Sequence, residues 1–85
     1  MYKITITKHA LKEIGALPAK TCKEISAVID ALANNPRPAG CKKLKAEKEY
    51  LWRVRAGSYR IIYLIEDTIK VVEIRKVGHR KEVYQ

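Results

Sequence analysis

The sequence is poor in the residues that build disulfide frameworks and membrane spans. It has two cysteines, Cys22 and Cys41, in 85 residues, too few for a disulfide-stapled fold and without the spacing of a metal site. The longest purely apolar run covers residues 61–65, whereas a helix that crosses a bilayer needs about 20 apolar residues. The N-terminus has no apolar segment of the kind that marks secreted proteins. These absences predict a cytoplasmic protein with reduced cysteines and no membrane partner.

Acidic residues are also scarce. Nine Asp and Glu stand against 18 Lys and Arg, which gives a formal net charge of +9. A small protein of that charge attracts polyanions: nucleic acid, an acidic protein partner or, as the weakest of the three candidates, an anionic membrane surface. No cluster of carboxylates suits a metal-dependent nuclease, and the motifs of zinc proteases, Cys-x-x-Cys pairs, phosphate loops and nucleophile elbows are missing. We therefore expect a nucleic-acid partner, no bound metal and no organic cofactor.

The hydrophobic content, 47% of the chain, is enough for the core of one small domain over residues 1–85. Apolar and polar residues alternate over residues 2–7, which predicts a half-buried strand. Thr7 is a suitable cap for a short helix that ends at Gly15. Pro18 then suits the first turn of a second, longer helix.

The second half of the chain is rich in β-branched and aromatic residues, which predicts a β-meander. Its strands are expected at residues 50–55, 59–65 and 69–77, with a short end at residues 83–84. The predicted fold is α+β with the element order βααβββ(β). It has an antiparallel sheet, and the two N-terminal helices pack on one of its faces.

Strand alternation brings three arginines together on this sheet. The apolar and aromatic side chains of the first meander strand face the helices, so Arg53 and Arg55 point to the opposite, open face. A tight turn then brings Arg60 of the next strand beside Arg55. Guanidinium groups match phosphate geometry, and an anion relieves their mutual repulsion, so the trio predicts phosphate binding. The alternative is that each arginine pairs with a nearby carboxylate, for which the candidates are Glu47, Glu49 and Glu73.

Other basic residues extend this surface or lie near it. A lysine run between the helices and the meander includes Lys43 and Lys45, which we assign to RNA binding, although such a run is alternatively a solvated loop. Near the C-terminus, His79, Arg80 and Tyr84 are candidates for acid–base chemistry beside the arginines. The alternatives are that His79 is a surface residue and that Tyr84 is a frayed end or a core plug.

The sequence resembles the RelE-type toxins of bacterial toxin–antitoxin pairs, within the RelE/ParE superfamily. The strongest part of the resemblance is the strand–turn–strand segment at residues 52–63, WRVRAGSYRIIY. The ending VGHR at residues 77–80 with EVY at residues 82–84 points more narrowly to the RelE branch. The weaker matches are ALKE at residues 10–13, NPRP at residues 35–38 and Lys43-Leu44, so the resemblance covers nearly the whole chain.

The resemblance implies an endoribonuclease that cleaves mRNA in the A site of the 70S ribosome. The resemblance also implies that the 2′-OH of the message attacks the adjacent phosphate and that no metal takes part. By residue match, Tyr84 is the general base, Arg60 stabilises the pentacoordinate phosphorane and Arg80 acts at the leaving 5′ oxygen. Arg53 and Arg55 hold the phosphate backbone. A RelB-like antitoxin with an acidic or amphipathic segment is implied as a partner, with suitable contacts at Leu51, Ile62 and Leu64.

Two departures from the family pattern leave alternatives open. The RelE pattern has lysines where Arg53 and Arg55 stand, and an arginine does not supply a deprotonatable amine. Some relatives use a histidine, so His79 shares or replaces the role of Tyr84. The alternative functions are a non-enzymatic, ParE-like inhibitor of DNA gyrase and a basic nucleic-acid-binding module without catalysis.

Overall fold

The structure, a computed structural model, describes residues 1–46 and 48–79 as two helices on a five-stranded sheet. The elements in chain order are β1 (Lys3–Ile6), α1 (Lys8–Gly15), α2 (Ala19–Leu32), β2 (Lys42–Lys45), β3 (Tyr50–Ala56), β4 (Tyr59–Glu66) and β5 (Val71–His79). The α+β prediction is confirmed, and the meander strands lie within two residues of their expected bounds. In the described part of the chain, no helix is long and apolar enough to cross a membrane.

Both helices begin where their local chemistry predicts. The Thr7 side-chain oxygen accepts a hydrogen bond from the backbone N–H of Ala10 at 3.1 Å, which caps α1. α2 begins directly after Pro18, whose fixed φ suits the entry to a helix. Both helices turn an apolar stripe toward the sheet. Their buried members are Ala10, Ile14, Ile25, Ile29 and Leu32.

The sheet has the strand order β1-β5-β4-β3-β2. The β2–β3, β3–β4 and β4–β5 pairs are antiparallel, but β1 runs parallel to β5, with Lys3 opposite Val71. The prediction of an antiparallel sheet is therefore wrong at this edge. A tight hairpin forces antiparallel pairing, whereas β1 reaches the sheet through two helices, which leaves the opposite direction available.

A second difference is β2, which the sequence analysis treated as a basic run. Its four residues, Lys42–Lys45, pair with β3 and form the edge of the sheet. Lysine has a low β propensity, so the strand depends on its pairing with β3 rather than on its own residues. Lysines on an edge strand also discourage pairing with other chains.

The core lies between the helices and one side of the sheet, which we call the helix-covered face. Ile61, Tyr63, Val72 and Ile74 from the sheet are each 0% exposed in this cluster. The Tyr63 hydroxyl donates a hydrogen bond to the Pro36 carbonyl at 2.7 Å, and its burial raises the pKa of Tyr63. Trp52 and Val54 pack against the same cluster, as alternation along β3 predicts.

The other side, the open face, is interrupted by a β-bulge in β5. Ile62 pairs with Lys76 and Tyr63 pairs with Ile74, which leaves Arg75 as an extra residue between them. The bulge changes which residues of β5 face the helices. Ile74 and Val77 are three residues apart, yet both belong to the core cluster.

Candidate functional site

The open face brings together the three arginines that the sequence analysis singled out. Arg55 lies directly opposite Arg60 in the β3–β4 pairing, so their Cβ atoms are about 5 Å apart. The hairpin between them is closed by Gly57, whose φ of +62° suits the tight turn. On its other side Arg60 faces Gly78 of β5, which contributes no side chain to this row.

A second row crosses four strands of the same face. Arg53 pairs with Lys42 of β2 on one side and with Ile62 of β4 on the other, and Ile62 pairs with Lys76 of β5. Directly paired residues of a sheet point to the same face. The two rows therefore gather five cations on one side of the sheet. We call these the open-face basic cluster: Lys42, Arg53, Arg55, Arg60 and Lys76.

The members of this cluster differ in depth. Arg53 and Arg60 are only 7% and 6% exposed, whereas Arg55 and Lys42 are exposed. A positive charge with little access to water is screened less, and it acts more strongly on a nearby anion. The cluster thus has two buried guanidinium groups as a floor and exposed cations at its rim. Sequence alternation predicted the facing of these residues but not their burial.

The open face is less exposed beside the arginines than we expected. Ile62, predicted as an exposed contact for a partner, is 7% exposed and lies between Arg53 and Lys76. Leu51 and Leu64 are half-buried. Ile62 therefore forms an apolar divider within the basic cluster and not a broad docking patch.

Two of the acidic residues that were alternative partners for the arginines accept hydrogen bonds from Arg75. Arg75 donates hydrogen bonds to Glu49 at 2.9 and 3.4 Å, and its Nε donates to Glu73. Partial burial opposes the charge of Arg75, but these two carboxylates raise its pKa. Glu47 lies outside the described residues. Two of the three candidate carboxylates are thus in an ion-pair cluster with Arg75.

Lys43 and Lys45 lie on the other side of the sheet. They pair with Trp52 and Tyr50, which alternate with the arginines of β3. The Nζ of Lys43 is 4.1 Å from the ring centroid of Tyr50 and 5.8 Å from that of Trp52, within the range of cation–π contacts. The structure therefore separates these two lysines from Arg53 and Arg55, and it brings Lys42 to the arginines instead.

His79 is also separated from the arginines. It pairs with Tyr59, whose neighbours in the core place both side chains on the helix-covered face. The two rings meet edge to face, with centroids 5.8 Å apart. They border a recess of about 320 Å³ between β5 and α1 that Glu13 and Leu17 also line. Arg80 and Tyr84, the other two residues predicted near the C-terminus, lie outside the described residues.

Sequence reasoning did not find an apolar groove between α2 and the free end of β3. Its volume is about 440 Å³, and its walls are mainly apolar. β2 begins at Lys42, opposite Arg53, so residues 54–56 of β3 have no neighbouring strand on that side. The residues along the groove include Ala27, Val28, Ala31, Val54 and Arg55. The sequence feature that indicates this groove is a stripe of small residues on α2 together with a short edge strand, β2.

Charge and geometry together suit the binding of phosphate. Five cations on one face repel one another, and a bound phosphodiester backbone relieves that repulsion. Buried arginines that are fixed by the sheet hold their donors in place, so little reorganisation accompanies binding. Within residues 1–46 and 48–79, no three His, Cys, Asp or Glu side chains are grouped as metal ligands.

The chain is similar to known toxins over nearly its whole length. Residues 4–84 match the family described as the ParE toxin of the type II toxin–antitoxin system parDE. The "Putative toxin RelE1" of Methanocaldococcus jannaschii is 31% identical, over 99% of this chain and 96% of that protein. "Toxin RelE" of Mycobacterium tuberculosis is 36% identical, over 99% and 87%. Among solved structures, the RelE–RelB complex from Pyrococcus horikoshii OT3 contains a chain with a TM-score of 0.83 and 29% identity, covering 95% of this chain and 97% of that one.

Proposed function

Because the chain belongs to the RelE/ParE family of type II toxins, with RelE toxins among its relatives, we propose that it is a ribosome-dependent endoribonuclease. Its substrate is mRNA in the ribosomal A site. The reaction is a metal-free transfer in which the message's own 2′-OH attacks the adjacent phosphate. The P–O bond to the 5′ oxygen of the next nucleotide breaks, which leaves a cyclic phosphate and a 5′-OH.

One observation carries this proposal: Arg55 and Arg60 lie opposite each other, beside Arg53, on one face of the sheet. In the reaction, Arg60 donates hydrogen bonds to the phosphorane, whose charge is greatest in the transition state. Arg53 and Arg55 hold the flanking phosphates in position. Arginine is always protonated, so these roles are electrostatic and need no proton transfer.

The proton transfers fall to residues outside the described part. Tyr84 removes the proton from the 2′-OH, and Arg80 stabilises the negative charge on the leaving 5′ oxygen, which takes a proton from water to become the 5′-OH. His79 is the alternative base, although its side chain lies against Tyr59 on the helix-covered face. The ribosome and the paired codon orient the message, because the cluster itself supplies charge but no complete acid–base pair.

A translation reaction with a defined message tests this function. We expect the unaltered chain to cut ribosome-bound mRNA and to leave naked RNA largely intact. The variant R80A/Y84F is expected to lose cleavage, while K20Q, an exposed change on α2, retains it. The proposal fails if R80A/Y84F cuts the ribosome-bound message as well as the unaltered chain does.

Inhibition of DNA gyrase is the second candidate, because the matching family is described as the ParE toxin. The basic cluster argues for RNA as the target, but the fold is common to both kinds of toxin. Gyrase-dependent DNA breaks in the absence of mRNA cleavage would favour this candidate. The measurement is DNA linearisation by purified gyrase with and without the toxin.

The proposed protein partner is a RelB-like antitoxin, since a chain similar to this one was solved in a RelE–RelB complex. We place an apolar segment of the antitoxin in the groove between α2 and β3, with its acidic residues toward Arg55, which lines that groove. A27E is expected to weaken the complex because it puts a carboxylate on the apolar wall. If the antitoxin binds A27E with unchanged affinity, the proposed position of its apolar segment in this groove is wrong.

A further inference from the structure

The bulge in β5 places two consecutive basic residues beside the open face. Lys76 pairs with Ile62 and belongs to the basic cluster, while Arg75 is the extra residue next to it. Bulges are frequent near functional sites, where they redirect a side chain. Redirection is visible here, because Arg75 reaches Glu73 on its own strand and Glu49 directly before β3.

The contacts of Arg75 engage both carboxylates with a single guanidinium group. Its Nη1 and Nη2 lie 2.9 and 3.4 Å from the two oxygens of Glu49, and its Nε donates to Glu73. The three side chains are between 33% and 38% exposed. A planar guanidinium can hold two carboxylates at fixed positions in this way, which the point charge of a lysine cannot.

These carboxylates would otherwise be close competitors of a bound phosphate. Glu73 pairs with Leu64, and Lys76, on the same side of β5, pairs with Ile62 two positions along β4. Glu49 lies directly before β3, and the hydrogen bonds that it accepts from Arg75 bring it close to Glu73. An ion pair of such a carboxylate with Lys76 or Lys42 would cancel charge that the cluster presents to RNA. Within the described residues, neither Lys42 nor Lys76 forms an ion pair.

We propose that Arg75 is a positioning residue of the RNA site: it sequesters Glu49 and Glu73 and thereby prevents these carboxylates from neutralising Lys42 and Lys76 of the open-face basic cluster. This inference rests on the proposed RNA-directed function. It assigns Arg75 no direct contact with the message. Since ion pairs exposed to this degree contribute little to stability, the contribution of Arg75 is expected in RNA binding and not in folding.

The test measures binding of the full chain to a short fluorescein-labelled single-stranded RNA at several salt concentrations. R75Q releases both carboxylates, so we expect affinity to fall about tenfold, with a shallower salt dependence, as phosphate contacts are lost. In R75Q/E49Q/E73Q the competing carboxylates are gone. We expect its affinity and salt dependence to return to within about twofold of the unaltered chain.

The matched control separates sequestration from a general change of charge. R75Q/D30N/S26K has the same net charge as the rescued variant, but its two added changes are at exposed positions of α2, on the other side of the sheet. We expect it to bind as weakly as R75Q. Equal rescue by both triple variants would overturn the proposal, as would unchanged binding by R75Q. Failure of R75Q/E49Q/E73Q to recover would identify Arg75 as a direct RNA contact and also overturn it.

Two further measurements complete the design. Urea unfolding of each variant shows whether the fold is retained. If R75Q folds poorly, R75K replaces it in the binding test. R75K keeps the charge but loses the planar fork, so we expect its affinity to lie between that of the unaltered chain and the value expected for R75Q. Cleavage of ribosome-bound message by the same set tests the proposed function separately. If R75Q/E49Q/E73Q recovers RNA binding but no variant cleaves the message, the proposed nuclease function is contradicted and the proposed role of Arg75 is retained. If the message is cleaved but R75Q/E49Q/E73Q does not recover RNA binding, the role of Arg75 is contradicted and the nuclease function is retained.

Discussion

The two faces of the sheet use positive charge in opposite ways. On the helix-covered side, Arg37 makes two hydrogen bonds to Asp67 and lies 4.9 Å from the ring of Trp52, and Lys43 lies over Tyr50. These cations join the connector after α2 and the edge strand to the rest of the fold. On the open face, five cations converge, and within the described residues both Glu49 and Glu73 accept hydrogen bonds from Arg75.

The difference teaches that charge sign alone does not identify a binding surface. The net charge of +9 belongs to the whole chain, but part of it is used in structural contacts with aromatic rings and a carboxylate. What distinguishes the open face is the row-by-row alignment of cations across β2, β3, β4 and β5. Variants on the two faces should therefore separate RNA-directed function from stability.

The largest effect is expected from Arg60 on the open face. R60A removes the guanidinium proposed to stabilise the phosphorane, so cleavage of ribosome-bound message should fall by about a hundredfold to a thousandfold. R60K is the control, because it keeps the charge and loses the fork. Gel analysis of the message measures the cleavage rate. If R60A cleaves at the rate of the unaltered chain, Arg60 is not a catalytic residue.

Adjacent isoleucines provide the next contrast, because Ile61 and Ile62 are both buried but point to opposite faces. I61A should lower the free energy of unfolding by about 3 kcal/mol, since it leaves a cavity in the core. I62A should lower the free energy of unfolding by less than I61A does. It should weaken RNA binding more than I61A does, because it removes the side chain that lies between Arg53 and Lys76. Urea unfolding and RNA binding measure both quantities. Equal profiles for the two variants would contradict the division between the faces.

A smaller effect is expected from the buried hydroxyl of Tyr63. Y63F leaves the Pro36 carbonyl without its 2.7 Å donor, which should cost about 1–2 kcal/mol of unfolding free energy. RNA binding should be unchanged, since Tyr63 is on the helix-covered face. Urea denaturation provides the measurement, and weaker RNA binding by the folded variant would argue against the separation.

The smallest effect concerns acid stability. Hydrogen bonds from Arg37 and Tyr2 lower the pKa of Asp67 to about 2, from an ordinary value of 3.8. Because the folded-state pKa is lowered, this stabilisation is complete above about pH 4 and is lost as the pH falls toward 2. The unaltered chain should therefore exceed D67N in urea midpoint at pH 6, with the difference shrinking toward pH 2. A difference that is constant with pH would show that the ionised carboxylate is not involved.

The facing of β3 and β4 could be predicted from the sequence because period-two alternation is unbroken there. Trp52 and Val54 pack against the core while Arg53 and Arg55 take the other face, as expected. The two N-terminal helices were predictable from Thr7, Pro18 and their apolar stripes. Each of these features depends on residues close together in the chain.

The remaining features depend on partners distant in sequence. The bulge at Arg75 shifts the alternation of β5, so counting from Ile74 puts His79 on the open face, although it lies on the helix-covered one. The strand conformation of β2 depends on pairing with β3, and the burial of Arg53 and Arg60 depends on their neighbours in three dimensions. The roles of Arg80 and Tyr84 stay predictions, because both lie outside the described residues.

The pairing of β1 with β5 has a consequence for the order in which the protein is made. The Thr7 side chain donates a hydrogen bond to the carbonyl of Arg75, 68 residues further along the chain. The first strand to leave the ribosome therefore waits for the fifth before it gains its neighbour in the sheet. Such long-range closure is slow compared with local folding. The helices can form early during synthesis, but the surface proposed to act on mRNA is completed only when β5 has emerged.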